Sequence, residues 1–178
     1  MNPILTITPA ATTDVAELAS FVNSVYRGES SKQGWTTEAH LLDGPRIDAE
    51  SLEEMLRADG ATLLMARTEA GVLVGSVYLQ RQAGAMYLGM LSVRSTQQGG
   101  GIGRFLLQAA DAYAQRQGAS RMKITVISVR HELLAWYERQ GYRRTGETVP
   151  FPDNPRFGIP RQPLELLVLE KPLPAAGA

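Results

Sequence analysis

The feature that most narrows what this chain can fold into is the run Gln97-Gln98-Gly99-Gly100-Gly101-Ile102-Gly103-Arg104-Phe105-Leu106-Leu107, in which four glycines occupy five positions ahead of an apolar, helix-like stretch. Just upstream, "AMYLGMLSV" (Ala85 to Val93) reads as a strand. Strand, bare backbone, then helix is an arrangement that binds phosphate: N–H groups close on the oxygens and the helix N-terminus adds partial positive charge. Arg104 adds a full charge beside it. A lone glycine pair would be explained by a tight turn and close helix packing, but four at a strand-to-helix junction favour phosphate.

Two phosphate loops are excluded. A Walker loop needs Lys and then Ser or Thr after its last glycine, where this chain has Arg104-Phe105. A dinucleotide fingerprint starting at Gly101-Ile102-Gly103 needs its third glycine at Leu106, and no βαβ unit with a ribose-binding acid follows.

Length and composition bound the rest. The 178 residues suit one domain with a sizeable core. Lys plus Arg and Asp plus Glu each number 18, with no long basic run, so neither nucleic acid nor an anionic membrane is expected as partner. The lack of cysteine removes disulfides, thiolate nucleophiles and thiolate metal sites. His40 and His131 stand far apart without a carboxylate cluster, so no metal is expected. With no targeting pattern in "MNPILTITPAATTD" and no run long enough to span a bilayer, the expectation is a cytoplasmic protein.

Along the chain, Ile4 to Thr8 alternate as a strand ended by Pro9, and Thr13-Asp14 caps a helix in which Val15, Leu18, Ala19, Val22 and Tyr26 recur. Glu29 to Pro45 is polar and glycine-broken yet carries Trp35, Leu41 and Leu42, which suggests a partly helical flap. Asp48 caps "AESLEEMLRADG", a helix closed by Gly60. The runs "ATLLMART", "VLVGSVYLQR" and "AMYLGMLSV", joined by short turns, form an antiparallel meander. After the helix that follows the glycines come the strand "RMKITVIS", the helix "HELLAWYERQG" and the closing strands "YRRTGETV" and "LELLVLEKP". Between those last strands, the five prolines and one glycine of "PFPDNPRFGIPRQP" argue against regular structure.

These residues resemble a known family, the GNAT superfamily of acetyl-CoA-dependent N-acetyltransferases. Gln98 to Gly103 matches its Q/R-x-x-G-x-G/A motif, with "L-S-V" just upstream at Leu91-Ser92-Val93. "LLAWYERQGY", Leu133 to Tyr142, is similar to the family's A-x-x-x-Y-E-K-x-G-F segment. The resemblance covers nearly the whole chain and is strongest from Ala85 to Tyr142. One position departs: where many members carry an Asn that contacts the cofactor, this chain has Arg130, whose role stays open.

The resemblance implies an α/β (α+β) GNAT fold, with a mixed, mostly antiparallel twisted sheet of about seven strands flanked by about four helices. One N-acetyltransferase domain would span residues 3–172, with a flexible tail over 173–178. It implies a splay at the strand ending at Val93, leaving main-chain groups of Leu91 and Val93 free to pair with the pantetheine arm. It makes Gln98, Gly99, Gly100, Gly101, Ile102, Gly103 and Arg104 cofactor-binding, with the pyrophosphate on the N–H groups from Gly99 to Arg104, and makes Tyr137 the acid that protonates the coenzyme sulfur. Alone, Tyr137 reads as a helix residue packing its ring on the sheet. The implied donor is acetyl-CoA and the implied acceptor an amine of a small molecule or peptide; homodimers are common among similar proteins.

No base is legible, since "AMYLGMLSV" holds no acid; Glu29, Glu38, His40 and Asp153 fall in candidate loops and read as solvated surface groups. Tyr26 and Trp35 are candidates for an acceptor pocket, though for Trp35 a buried flap anchor is the plainer role. The competing functions are a non-catalytic acyl-CoA sensor, for which the missing strand acid leaves room, and another phosphate-ligand binder, which gives no reason for the second motif.

Overall fold

The computed structural model describes residues 4–175. In chain order the elements are β1 (Leu5–Pro9), α1 (Val15–Tyr26), α2 (Gly28–Ser31), β2 (Leu42–Asp43), α3 (Ala49–Arg57), β3 (Ala61–Thr68), β4 (Leu73–Gln82) and β5 (Ala85–Val93). There follow α4 (Ile102–Arg116), β6 (Arg121–Ile127), α5 (His131–Arg139), β7 (Arg143–Pro150), β8 (Ile159–Pro160) and β9 (Glu165–Pro172). Four helices have nine or more residues, as expected; α2 is a single extra turn.

Seven strands form one sheet in the order β1-β3-β4-β5-β6-β9-β7, antiparallel throughout except where β5 meets β6. Successive residues of a strand face opposite sides, so β3 sends Leu63 and Met65 to one core and Leu64 and Ala66 to the other. The first core lies under α1, which turns Leu18, Val22 and Val25 inward at helical spacing. The second lies under α4 and α5 and includes Leu106, Ala110, Ala114 and Leu134. There α4 comes so close to β4 that a Cβ on Gly75 would sit 2.7 Å from a Leu106 methyl. Asp48 caps α3 as expected, its Oδ1 accepting from the Ser51 N–H at 2.7 Å.

The break that matters for function lies between β5 and β6. They are paired only at Ala85–Tyr87 with Arg121–Lys123, and beyond that they part. On its other side β5 shifts register against β4 between Ser76 and Tyr78. Opposite that shift Met90 adopts φ +50°, a left-handed conformation uncommon for a residue with a side chain. The bulge turns β5 away from its parallel neighbour.

Two loops are more ordered than their composition implies. The proline-rich stretch contributes β8, which pairs with β2 from the flap, and the Arg161 N–H donates to the Leu41 carbonyl at 2.9 Å. Proline removes only its own donor, so short ladders survive where neighbouring residues supply the N–H. The stretch expected to fray from 173 starts out attached: the Leu173 N–H donates to the Ser120 carbonyl at 2.9 Å and its side chain packs on the core. Residues 1–3 and 176–178, which include the expected domain start at Pro3 and the end of the tail, lie outside the described residues. Among the described residues no helix is long and apolar enough to cross a membrane.

Candidate active site

The parting of β5 from β6 opens a cleft of about 530 Å³ between the end of β5, the glycine loop, α5 and the flap. Leu91 and Val93 line it from β5. Gln98, Gly99, Gly101, Ile102, Gly103 and Arg104 line it from the loop and the first turn of α4, and Tyr137 from α5. Gly100 alone among the expected residues does not border the cleft.

The loop glycines are bare for different reasons. Gly99 and Gly101 sit at φ +86° and +89°, where an L side chain is strained, and a Cβ on either would meet nothing within 4 Å, so both open toward unfilled space. Gly101 is the N-cap of α4, which leaves the first N–H groups of that helix without side-chain partners. Gly103 is bare because a Cβ there would lie 3.3 Å from the Trp136 ring, which packs α5 against the start of α4.

The Gln98 carboxamide holds the flap. Its Oε1 accepts from the Trp35 N–H at 2.8 Å, and its Nε2 donates to Thr36 Oγ1 at 2.8 Å and to the Val93 carbonyl at 3.1 Å. Gly34 makes room for it, since a Cβ there would fall 2.5 Å from Oε1. Trp35 is not buried as a flap anchor: it is 38% exposed, borders the cleft and faces Trp136 with ring centroids 6.3 Å apart.

The carbonyls of Leu91 and Val93 are therefore not free, contrary to expectation. Gln98 takes the second, and the Tyr26 hydroxyl donates to the first. Parting from β6 costs these carbonyls their strand partner, and side chains from α1 and the loop satisfy them instead. Burial beside Glu38 pushes the Tyr26 hydroxyl up to about 12, so it stays a donor.

Tyr137 is 6% exposed and borders the cleft. Its ring packs edge-on against Trp136 at 5.0 Å and Tyr142 at 5.5 Å. Burial raises its pKa well above the usual phenol value, the neighbouring tyrosines add to the rise, and Arg130 opposes it. Among the described residues nothing hydrogen-bonds its hydroxyl. One residue thus combines a packed ring, a hydroxyl held protonated and a place in the cleft lining.

One cluster was invisible in the sequence. Glu38, expected to be solvated, is 8% exposed and lies between two arginines: Oε1 is 3.3 Å from Arg27 Nη2 and Oε2 is 3.9 Å from Arg130 Nη1. Nothing in the spacing of residues 27, 38 and 130 signals this, because the flap and α5 meet only in the fold. Glu29, His40 and Asp153 are exposed. No group of three or more His, Asp or Glu is gathered as a metal site among the described residues.

A twisted sheet opened between two parallel strands, over a glycine loop that starts a helix, is the architecture of an acyl-CoA-dependent N-acetyltransferase. Residues 28–154 match the family model described as an acetyltransferase (GNAT) domain, and the chain belongs to that family, whose members use acetyl-CoA as donor. It is 27% identical over 159 residues to an IAA acetyltransferase of Azospirillum brasilense, covering 89% of this chain and 88% of the relative. The crystal structure of a ribosomal-protein-alanine N-acetyltransferase from Brucella melitensis superposes with TM-score 0.68 at 25% identity, over 94% of this chain and 99% of that one. The ribosomal-protein-S18-alanine N-acetyltransferase of Escherichia coli, 15% identical, shares the fold with TM-score 0.69 over 98% and 97% of the two chains. The open space at Gly99 and Gly101 and the uncapped first turn of α4 fit the phosphates of that donor.

Proposed function

We propose that this protein moves an acetyl group from acetyl-CoA to a primary amine of a small molecule or peptide, by direct attack in a ternary complex. The supporting observation is one cleft bordered by the parted β5, the glycine loop and Tyr137, with Trp35 and Thr36 of the flap lining it too. The donor supplies the acetyl group as an activated thioester. N–H groups from Gly99 to Arg104 hold its pyrophosphate, and the amide of Leu91 or Val93 polarises the carbonyl.

The amine enters neutral, its proton left in solvent. Its nitrogen bonds to the carbonyl carbon, the carbon–sulfur bond breaks, and the sulfur takes the Tyr137 proton. The surplus proton on nitrogen leaves through water and Tyr137 is reprotonated. β5 supplies no acid to act as base, and both Glu38 oxygens face arginines, which commits that carboxylate to the ion pair.

The test is thiol release from acetyl-CoA across an amine panel, repeated with Tyr137→Phe, which keeps the ring and its packing. Turnover by the parent and a kcat loss on the order of 10²-fold in single-turnover measurements, with acetyl-CoA affinity little changed, is the expected result. Acetyl-CoA binding without acetylation of any amine points to the sensor instead. A Phe variant as fast as the parent makes Tyr137 a packing residue.

A further inference from the structure

Three arginines come together around Tyr26, a residue that borders the cleft: Arg27 and Arg130 flank the Glu38 carboxylate, and Arg46 lies near the Tyr26 ring. Arg27 follows α1, Arg46 precedes α3 and Arg130 precedes α5, so three separate elements bring them to Tyr26 and Glu38. Arg27 is tied into the structure: besides Glu38, its guanidinium donates to the carbonyls of Gly44 at 3.3 Å, Pro45 at 3.0 Å and Phe157 at 3.1 Å, and only its Nε is buried without a partner among the described residues. Arg130 is not. It is 8% exposed, and its Nη1 is buried with no hydrogen-bond partner, Glu38 lying beyond bonding distance at 3.9 Å. Arg46 places its guanidinium 6.0 Å from the centre of the Tyr26 ring and forms no ion pair among the described residues. Tyr26 itself borders the cleft.

One Glu38 carboxylate against three guanidinium groups leaves two positive charges uncompensated around that ring. A buried cation with an unmade hydrogen bond is costly, and an anionic ligand relieves both the charge and the missing acceptor. Glu132 borders the same cleft, but Arg104 and Arg139 border it too, so the sign is not reversed.

We infer that the acceptor carries a carboxylate as well as its amine, with Arg46 and Arg130 holding the carboxylate beside Tyr26. This rests on the acetyl-transfer reading above and narrows it: amino-acid-like acceptors are favoured, and polycations such as polyamines are repelled. The cofactor's phosphates are the other anion source, and they are assigned to the glycine loop.

The experiment compares α-amino acids, their carboxamides and spermidine at matched concentrations of neutral amine. Two readouts are used: kcat/KM for acetylation, and calorimetric binding to the protein saturated with coenzyme A. The carboxylates are expected to be favoured over their amides by about tenfold or more in both, with the preference falling as salt rises. Arg46→Gln, at a residue whose guanidinium makes no hydrogen bond among the described residues, should fold normally, bring the two classes within about twofold and leave the acetyl-CoA KM unchanged; Arg46→Lys should retain part of the preference. Amides or spermidine equal to the carboxylates overturn the inference. So does an Arg46→Gln variant whose acetyl-CoA KM rises as much as its acceptor KM, because the charge then serves the cofactor. Carboxylate binding without turnover of any amine leaves the inference standing and removes the acetyl-transfer reading.

Discussion

Gln98 stands first in the glycine motif, yet its side chain turns away from the open space at Gly99 and Gly101 to join Val93 at the end of β5 to Trp35 and Thr36 of the flap. Each such bond contributes about 1 kcal/mol net, and losing three in Gln98→Ala frees the flap before it disturbs the core. The expected outcome is an acceptor KM raised about fivefold or more, a smaller change in acetyl-CoA KM and a melting temperature lowered by at most about 10 °C. Equal changes in both KM values would give Gln98 to the cofactor. The motif's position was legible in the sequence; the partners of its first side chain were not, because residues 35 and 36 come near it only through the fold.

At the scale of an element, the start of α4 combines two demands that look alike in the sequence. Gly101 answers a backbone demand, its φ of +89° being strained for any L side chain; Gly103 answers a packing demand, lying against Trp136 of α5. Gly101→Ala should cost about 1 kcal/mol in stability and weaken acetyl-CoA binding, since the cap geometry that presents the helix N–H groups is disturbed. Gly103→Val should lower the melting temperature more, by pushing α5 and with it Tyr137 outward. Scanning calorimetry with acetyl-CoA titration separates the two, and a Gly103→Val variant as stable as the parent would show that Trp136 yields without cost. α3 differs in having a readable start, because its cap, Asp48, acts on the backbone three residues away, whereas its end at Arg57 falls short of Gly60.

Across the whole molecule, buried tyrosines make stability depend on alkaline pH. Burial raises Tyr137 and Tyr142 well above the usual phenol value and Tyr26 to about 12, whereas unfolded phenols ionise near pH 10. The folded state therefore holds protons that the unfolded state has released, and its stability declines as pH rises from about 10 through the folded values. The melting temperature should be flat approaching pH 10 and fall beyond it, with part of the phenolate absorbance appearing only in the cooperative unfolding step. Complete ionisation of the tyrosines before unfolding would contradict their burial in the folded state.

The seven strands of the main sheet, the four longer helices, the meander and the placing of the glycine loop followed from the sequence by itself, because periodicity, caps and turns act over a few residues. The tertiary structure alone decided which β5 carbonyls are covered, that the flap pairs with the proline-rich loop, and that Glu38 lies between Arg27 and Arg130. Apart from Gln98–Val93 and from Arg27–Glu38, eleven positions apart, those contacts join residues tens of positions apart, and no local pattern encodes any of them. They exist because a bulge at Met90 turns β5 from β6 and leaves a cleft that side chains from α1, the flap and α5 must line.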